Sequence, residues 1–246
     1  MTREKIEIDG VIFDLGSTLL EYENSPWDEI NAKCVDAGYE FLKEEGYRLP
    51  SKEQFYNLQM EIRQKYRERA DQSLAEWSLI DALYELIEAL HIKGSYGMTQ
   101  SFYDVWYKPI ADQITIFDDT QSTLKAIQES GKKIGLVSNT IFPREFHHAD
   151  LARFDLHKYF DFQIYSSAFG WRKPDPKIYK KATAEMNLPA NRILFVGDRF
   201  LEDIKGPRDF GMKAILKYRE NREYPDPFPD DLTVVGSLSE LLDNLI

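Results

Sequence analysis

Short apolar segments rich in β-branched residues recur along this chain, and they constrain its fold more than any other feature. The five segments cover residues 10–15, 133–138, 162–166, 192–197 and 213–218. Each reads as a strand buried on both faces of a parallel sheet. Helical patterns lie between the later segments, over residues 120–130, 143–154, 175–187 and 201–210. This alternation predicts an α/β fold with a doubly wound parallel sheet.

The stretch over residues 21–113 lacks a strand pattern and predicts helices instead. Four helices are predicted, beginning after Ser25-Pro26, at the capping box Ser51-x-x-Gln54, near residue 79 and near residue 99. We expect the fourth to end before Pro109, because proline lacks a backbone donor. The chain is therefore predicted to have an α/β core domain (1–20 and 114–246) and an inserted helical domain (21–113).

Charge and cysteine content narrow the range of functions. The 246 residues carry a formal net charge of -11, which disfavours nucleic acid or an anionic membrane as a partner. The single cysteine allows no intrachain disulfide, and the start of the chain lacks the apolar segment of a signal peptide. We therefore expect a cytoplasmic protein, and a small phosphorylated metabolite remains compatible with the overall negative charge.

Polar residues follow the predicted strands at the edge where an open parallel sheet binds its ligands. The first strand is followed by Asp14-Leu15-Gly16-Ser17, and the second ends at Ser138-Asn139. Lys173 precedes the helix that leads to the fourth strand, which ends at Gly197-Asp198, and Asp203 follows five residues later. Acids, a hydroxyl and a lysine are thus predicted to meet at one edge.

These four elements, in this order and at these strand ends, resemble the four motifs of the haloacid dehalogenase-like (HAD) hydrolase superfamily. The resemblance covers the whole α/β portion, which would form its Rossmann-like core. The helical stretch falls where one subfamily inserts an all-helical cap domain after the first motif. The resemblance implies a magnesium-dependent hydrolase that acts on a small phosphate ester through an aspartyl-phosphate intermediate.

The resemblance also implies roles for individual residues. Asp14 would be the nucleophile, while Ser138 and Lys173 would stabilise the transferring phosphoryl group. Mg²⁺ would be held by Asp14, Asp198 and the Gly16 carbonyl, with Asp203 supporting the site. The predicted substrate-binding residues are Leu15, Gly16, Ser17, Ser138, Asn139 and Lys173.

Gly16 departs from the family pattern. Phosphatases of the family usually carry a second aspartate at this position, which acts as general acid and then as general base. General acid–base catalysis contributes about 10²–10⁴-fold. We therefore expect slow hydrolysis of alkyl phosphates, and a smaller penalty for acyl or aryl phosphates, whose leaving groups depart without protonation.

The same departure leaves two other functions open. In the dehalogenase branch of the superfamily this position is also not aspartate, and cleavage of a carbon–halogen bond needs neither metal nor proton donor. The two acids Asp198 and Asp203 favour the phosphatase over the dehalogenase. A third possibility is a catalytically weak relative that binds phosphoesters in a regulatory role.

Several conspicuous residues receive structural interpretations. Trp27, Trp77 and Trp106 are predicted to be core residues of the helical stretch. The adjacent His147 and His148 are placed on an exposed helix, where neighbouring residues do not share a face. Arg172 borders the predicted site beside Lys173.

Overall fold

One parallel sheet of six strands lies at the centre of residues 7–245, the part of the chain that the computed structural model describes. Its strands are β1 (Gly10–Phe13), β4 (Lys133–Ser138), β5 (Phe162–Tyr165), β6 (Ile193–Gly197), β7 (Lys213–Lys217) and β8 (Thr233–Val235). Their order is β5-β4-β1-β6-β7-β8, and every neighbouring pair is parallel. The predicted doubly wound α/β fold is confirmed.

The chain reverses its direction of winding between β1 and β6. From β1 it builds outward through β4 to β5, and it then returns to place β6 on the other side of β1. Every residue of β1 and β6 is buried, as predicted for central strands covered on both faces. Because ligands bind beside such a reversal, the residues after β1 and β6 occupy the functional edge.

Ten α-helices accompany the strands in the described part of the chain. They are α1 (Trp27–Glu44), α2 (Lys52–Ser73), α3 (Leu79–Ala89), α4 (Tyr96–Gln113), α5 (Thr120–Glu129), α6 (Arg144–Arg153), α7 (Ser166–Phe169), α8 (Pro176–Met186), α9 (Gly206–Asp209) and α10 (Leu242–Leu245). We call α1–α4 with their connections the helical insert. Its second helix begins at the predicted capping box, in which Ser51 and Gln54 bond reciprocally.

The end predicted for the fourth helix is wrong. α4 continues through Pro109 to Gln113. The residues on both sides of the proline, Tyr107 and Ile110, are buried, as is Trp106. Burial of these large side chains stabilises the helix by more than the roughly 3 kcal/mol that an internal proline costs.

The segment predicted as one helix over residues 201–210 is also different. It begins as a π-helical turn, Phe200–Lys205, and continues as α9. Short π-helical turns are frequent at functional sites, where the extra residue changes the direction of a side chain. Here the turn buries the side chain of Asp203 completely.

Two short strands connect the helical insert to the sheet and were absent from the sequence prediction. β2 (Leu20–Glu21) and β3 (Thr115–Ile116) pair antiparallel, so the chain enters and leaves the insert at adjacent positions. The same oversight concerns β8, which pairs with β7. Strands of two or three residues are too short to show a periodic pattern.

Besides the two chain connections, a set of hydrogen bonds joins the insert to the α/β part. The segment between α2 and α3 lies against the loop after β5: the Glu76 N–H donates to the Gly170 carbonyl at 3.0 Å, and the Arg172 N–H donates to the Leu74 carbonyl at 3.0 Å. The Glu76 carboxylate also accepts from the Ser166 hydroxyl at 2.8 Å. These bonds fix one end of α2 over the edge of the sheet.

Two predictions about the extent of the domains remain as they were made from the sequence. The domain boundaries at residues 20/21 and 113/114 remain a prediction. The interpretation of the first five residues, and residues 1–6 of the predicted core domain, lie outside the described residues. Within residues 7–245, the apolar helices are too short or too polar to cross a bilayer.

Candidate active site

Asp14 and Lys173 form the centre of the candidate site. Asp14 is the first residue after β1, and its N–H donates to the carbonyl of Val196 in β6 at 2.9 Å. Its Oδ1 accepts from Lys173 Nζ at 2.7 Å, and the same ammonium donates to Asp203 Oδ1 at 2.6 Å. The Lys173 side chain is only 1% exposed, so its charge is neutralised by these carboxylates rather than by water.

Asp198 reaches the same point from the neighbouring strand. The Thr18 hydroxyl lies 3.4 Å from Asp14 Oδ2 and 3.5 Å from Asp198 Oδ1, and it links the two acids. On the opposite side, Arg222 Nε donates to Asp198 Oδ2 at 2.6 Å. The remaining guanidinium nitrogens of Arg222 each donate to Glu23 at 2.9 Å.

Burial and neighbouring charges shift the ionisation of this cluster. Burial raises the pKa of Asp203 to about 7, although the Lys173 ammonium opposes the shift. Burial, and then the charge of Asp14, also raise the pKa of Asp198, against the effect of Arg222. Burial alone would lower the pKa of Lys173, but Asp14 and Asp203 raise it, so the lysine stays protonated. Such shifts mark a site whose charges are held out of water.

Asp203 is held from two directions. While its Oδ1 accepts from Lys173, its Oδ2 accepts from the Arg199 N–H at 2.9 Å. Gly197 makes room for it, because a β-carbon at that position would collide with the Asp203 carboxylate. Asp203 therefore orients Lys173 as well as contributing negative charge.

In the loop after β1, some backbone polar groups are hydrogen-bonded within the protein and others are available to a ligand. The Ser17 N–H donates to the Leu20 carbonyl at 2.6 Å, and Ser17 adopts a left-handed conformation with φ of 59°. The N–H groups of Leu15 and Gly16 and the Gly16 carbonyl have no hydrogen-bond partner among residues 7–245. An anion-binding role of this loop would therefore fall to Leu15 and Gly16, while the Ser17 amide holds the turn.

Ser138 and Asn139 end β4 beside the cluster and differ in their bonding. The Ser138 side chain is buried and, within the described part of the chain, bonds to no other group. Both polar atoms of the Asn139 amide bond to Lys173: its Oδ1 accepts from the Lys173 N–H at 2.7 Å, and its Nδ2 donates to the Lys173 carbonyl at 2.9 Å. Asn139 thus fixes the backbone that presents Lys173.

The donors gathered here have the chemistry of a divalent-cation site. Asp14, Asp198 and Asp203 each place a carboxylate oxygen within 4.8 Å of the others, and all three are buried. Hard oxygen donors of this kind suit Mg²⁺, which is usually held by one or two carboxylates, waters and substrate phosphate. Both oxygens of Asp203 accept short bonds, at 2.6 and 2.9 Å, whereas Asp14 Oδ2 and Asp198 Oδ1 have, within the described residues, only the long contacts to Thr18, at 3.4 and 3.5 Å. Asp14, Asp198 and the Gly16 carbonyl are therefore the better candidates for direct ligands.

A cavity of about 700 Å³ opens above this cluster. The α/β part forms one wall, and α1 and α2 of the helical insert form the other. Trp27 was predicted to be a core residue, but it is 38% exposed and lines this cavity, whereas Trp77 and Trp106 are buried as predicted. The first turn of α1 projects over the cavity, so its apolar face is not fully covered.

His147 also differs from its prediction, because it is buried. Its Nε2 lies 2.7 Å from the Thr140 hydroxyl, and its Nδ1 lies 3.3 Å from the hydroxyl of Tyr22. Burial lowers the pKa of His147 to about 3, so the ring is neutral. The burial costs little because both ring nitrogens have polar partners. One of these partners, Tyr22, lies in a distant segment, so the pattern of the helix alone could not predict it.

The sequence prediction did not include Thr18 and Arg222, which bond directly to the cluster, or Glu23, which bonds to Arg222. Thr18 was visible as the hydroxyl after the first motif and could have been included. Glu23 and Arg222 carried no signal, since they lie in irregular segments 199 residues apart and meet only in the folded chain.

Comparison with known proteins gives a result consistent with this geometry. A family model for haloacid dehalogenase-like hydrolases matches residues 8–211. The chain belongs to the haloacid dehalogenase-like hydrolase family, and it is a hydrolase with phosphatase-named homologues.

Individual relatives cover nearly the whole chain. The glyceraldehyde 3-phosphate phosphatase of Methanothermobacter thermautotrophicus is 26% identical, over 95% of this chain and 98% of its own length. The crystal structure of a HAD phosphatase from Thermococcus onnurineus is 20% identical, with a TM-score of 0.65 over 95% of this chain and 96% of that one. That of a 2-haloacid dehalogenase from Pseudomonas syringae pv. Tomato DC3000 is 23% identical, with a TM-score of 0.70 over 96% and 97%. The two structures support the fold alone.

Proposed function

We propose that this protein is a magnesium-dependent phosphatase that hydrolyses a small phosphate ester through an aspartyl-phosphate on Asp14. The observation that carries the proposal is the buried cluster in which Lys173 bridges Asp14 and Asp203, with Asp198 beside them. The matched relative named for glyceraldehyde 3-phosphate supports a substrate of this size. We also propose that the helical insert acts as the cap domain, with the boundaries predicted from the sequence.

In this mechanism an Asp14 oxygen attacks phosphorus, and the bond from phosphorus to the leaving oxygen breaks. Bound Mg²⁺, held by Asp14, Asp198 and the Gly16 carbonyl, would screen the repulsion between the carboxylate and the phosphate. Lys173 would neutralise charge on the phosphoryl oxygens, and the unengaged Ser138 hydroxyl would donate to one of them. The N–H groups of Leu15 and Gly16 would complete the cradle. Water then hydrolyses the acyl-phosphate and regenerates Asp14.

The leaving alkoxide requires a proton that Gly16 cannot supply. We therefore propose that turnover is slow with alkyl phosphates, including glyceraldehyde 3-phosphate, and faster with p-nitrophenyl phosphate or acyl phosphates. The same residue favours one other function, a 2-haloacid dehalogenase. That alternative predicts halide release from 2-chloropropionate in the presence of EDTA.

Phosphate release from p-nitrophenyl phosphate, with and without Mg²⁺, tests the proposal. We expect activity that EDTA abolishes and that Asp14→Asn lowers by about 10⁴-fold, since the nucleophile is lost. Asp36→Asn is a matched control, because Asp36 is exposed on α1 and does not line the cavity. Absence of turnover in the wild type, or equal turnover in Asp14→Asn, would reject the proposal.

A further inference from the structure

Two arginines of α2 face the candidate site across the cavity. Arg63 and Arg67 are four residues apart, so they lie on the same side of the helix, and both line the cavity. Neither belongs to the α/β part, and the chemistry on Asp14 does not require them.

The other cations that line the cavity have acidic partners. Lys173 bridges Asp14 and Asp203, and Arg222 bridges Asp198 and Glu23. Arg172 donates to Asp71 at 2.6 Å, and Arg199 lies 4.0 Å from Glu23. Each of these four cations therefore has a carboxylate within 4.0 Å.

Arg63 and Arg67 lack such partners. Within residues 7–245, no carboxylate lies within 4.0 Å of either guanidinium. Arg63 Nη1 donates to the Asn31 side chain, but its Nε is buried without an acceptor. Burial, and then the charge of Arg67, lower the pKa of Arg63. Three acids of the insert, Asp28, Asp71 and Glu76, also line the cavity, but Asp71 pairs with Arg172 and Glu76 accepts from Ser166.

We propose that Arg63 and Arg67 bind a second anionic group of the substrate. The substrate class would then be phosphomonoesters that carry a carboxylate or another phosphate at the end away from the scissile group. A bound anion would neutralise two like charges and offer acceptors to guanidinium donors, which pair with carboxylate and phosphate oxygens in a bidentate manner. This inference rests on the proposed phosphatase function.

Pairs of esters that differ in the second group test the proposal. Glyceraldehyde 3-phosphate and 3-phosphoglycerate differ by a carboxylate, while fructose 6-phosphate and fructose 1,6-bisphosphate differ by a phosphate. We expect kcat/KM of the wild type to be at least about 10-fold higher for the more anionic member of one pair or both, as for one charged bidentate contact. The responding pair identifies the preferred anion.

Substitutions locate the preference on α2. Arg63→Gln and Arg67→Gln should each reduce the ratio of the two kcat/KM values at least about five-fold. Arg69→Gln is the matched control, because Arg69 is exposed on the same helix and does not line the cavity. Since Arg67 is also exposed, Arg67→Gln tests the proposal even if Arg63→Gln fails to fold.

Failure of the inference and failure of the proposed function give different results. Hydrolysis of p-nitrophenyl phosphate without a preference in either ester pair, or an equal loss of preference in Arg69→Gln, would overturn the anion subsite alone. If the wild type hydrolyses none of the esters, calorimetric titration of Asp14→Asn with the same four compounds decides. Tighter binding of the more anionic member that Arg67→Gln removes would support the subsite, and equal binding of both members would overturn it.

Discussion

The two walls of the cavity are built on opposite principles. On the α/β side, Asp14 and Lys173 line the cavity and Asp198 and Asp203 lie behind them; all four are buried, and each bonds to another member of the cluster or to Thr18. On the wall formed by the insert, Trp27 and Arg67 are exposed, and no carboxylate of residues 7–245 lies within 4.0 Å of the Arg63 or Arg67 guanidinium. A hydrogen-bonded network of fixed geometry is suited to stabilising the charge that develops in a transition state. Side chains without partners in the protein can instead bind one ligand in preference to another. The proposed chemistry therefore lies on the α/β wall, and the proposed selection of substrates lies on the wall formed by the insert.

The largest expected effect lies in the buried network. Lys173→Met should lower the free energy of unfolding by about 3–5 kcal/mol, because it leaves two buried carboxylates facing each other. Chemical denaturation in the presence of EDTA measures this loss, and added Mg²⁺ should recover part of it. Lys181→Met is the control, since the exposed Lys181–Glu185 pair should contribute less than about 0.5 kcal/mol. Similar losses in both variants would show that the buried network stabilises the fold no more than an exposed ion pair does.

Gly16 is a point where the network can be extended. A β-carbon there would lie 3.7 Å from the Tyr22 ring, an ordinary contact, so a side chain is accommodated. Gly16→Asp should raise kcat/KM for glycerol 3-phosphate about 10²-fold, because it supplies a proton donor, and should change p-nitrophenyl phosphate turnover little. Gly16→Asn has nearly the same shape and no such proton. An equal gain in Gly16→Asn would show that acid catalysis is not what the site lacks.

The neutral histidine beneath the cavity should give the α/β part an acid-sensitive stability. The folded pKa of His147 is about 3, while an unfolded histidine titrates near 6.5, so between these values the unfolded chain binds the additional proton. Stability is therefore lost as the pH falls below 6.5. At pH 5 the loss attributable to His147 is about 2 kcal/mol. We expect the difference in unfolding free energy between pH 7.5 and 5 to shrink by this amount in His147→Gln, and parallel curves would refute the assignment.

The smallest effect is expected where the two walls meet at the surface. Asp71 of α2 accepts from Arg172 at 2.6 Å, but its side chain is 60% exposed. Asp71→Asn should therefore lower the unfolding free energy by less than about 1 kcal/mol, as for other surface pairs. Thermal unfolding at low and high salt would measure it. A loss as large as that in Lys173→Met would place this contact in the same class as the buried network.

The sequence predicted the α/β wall better than the insert wall, for a physical reason. Strands buried on both faces have a strong apolar pattern, and polar residues such as Asp14 and Asp198 follow directly at their ends. The positions of Thr18 and Arg222 depend instead on contacts between distant segments, and β2 and β8 are too short to leave a pattern. On α2, helical periodicity located the helix but could not show which arginines remain without a carboxylate.

The hydrogen bonds of Glu76 and Leu74 to the segment after β5 affect how substrate and product would enter and leave the cavity. Two adjacent chain crossings define an axis about which the insert could swing as a lid. The hydrogen bonds of Leu74 and Glu76 lie away from that axis, so they prevent this rotation until they break. We therefore expect that substrate entry and product release require these hydrogen bonds to break, and that an opening step remote from the reacting atoms can limit turnover.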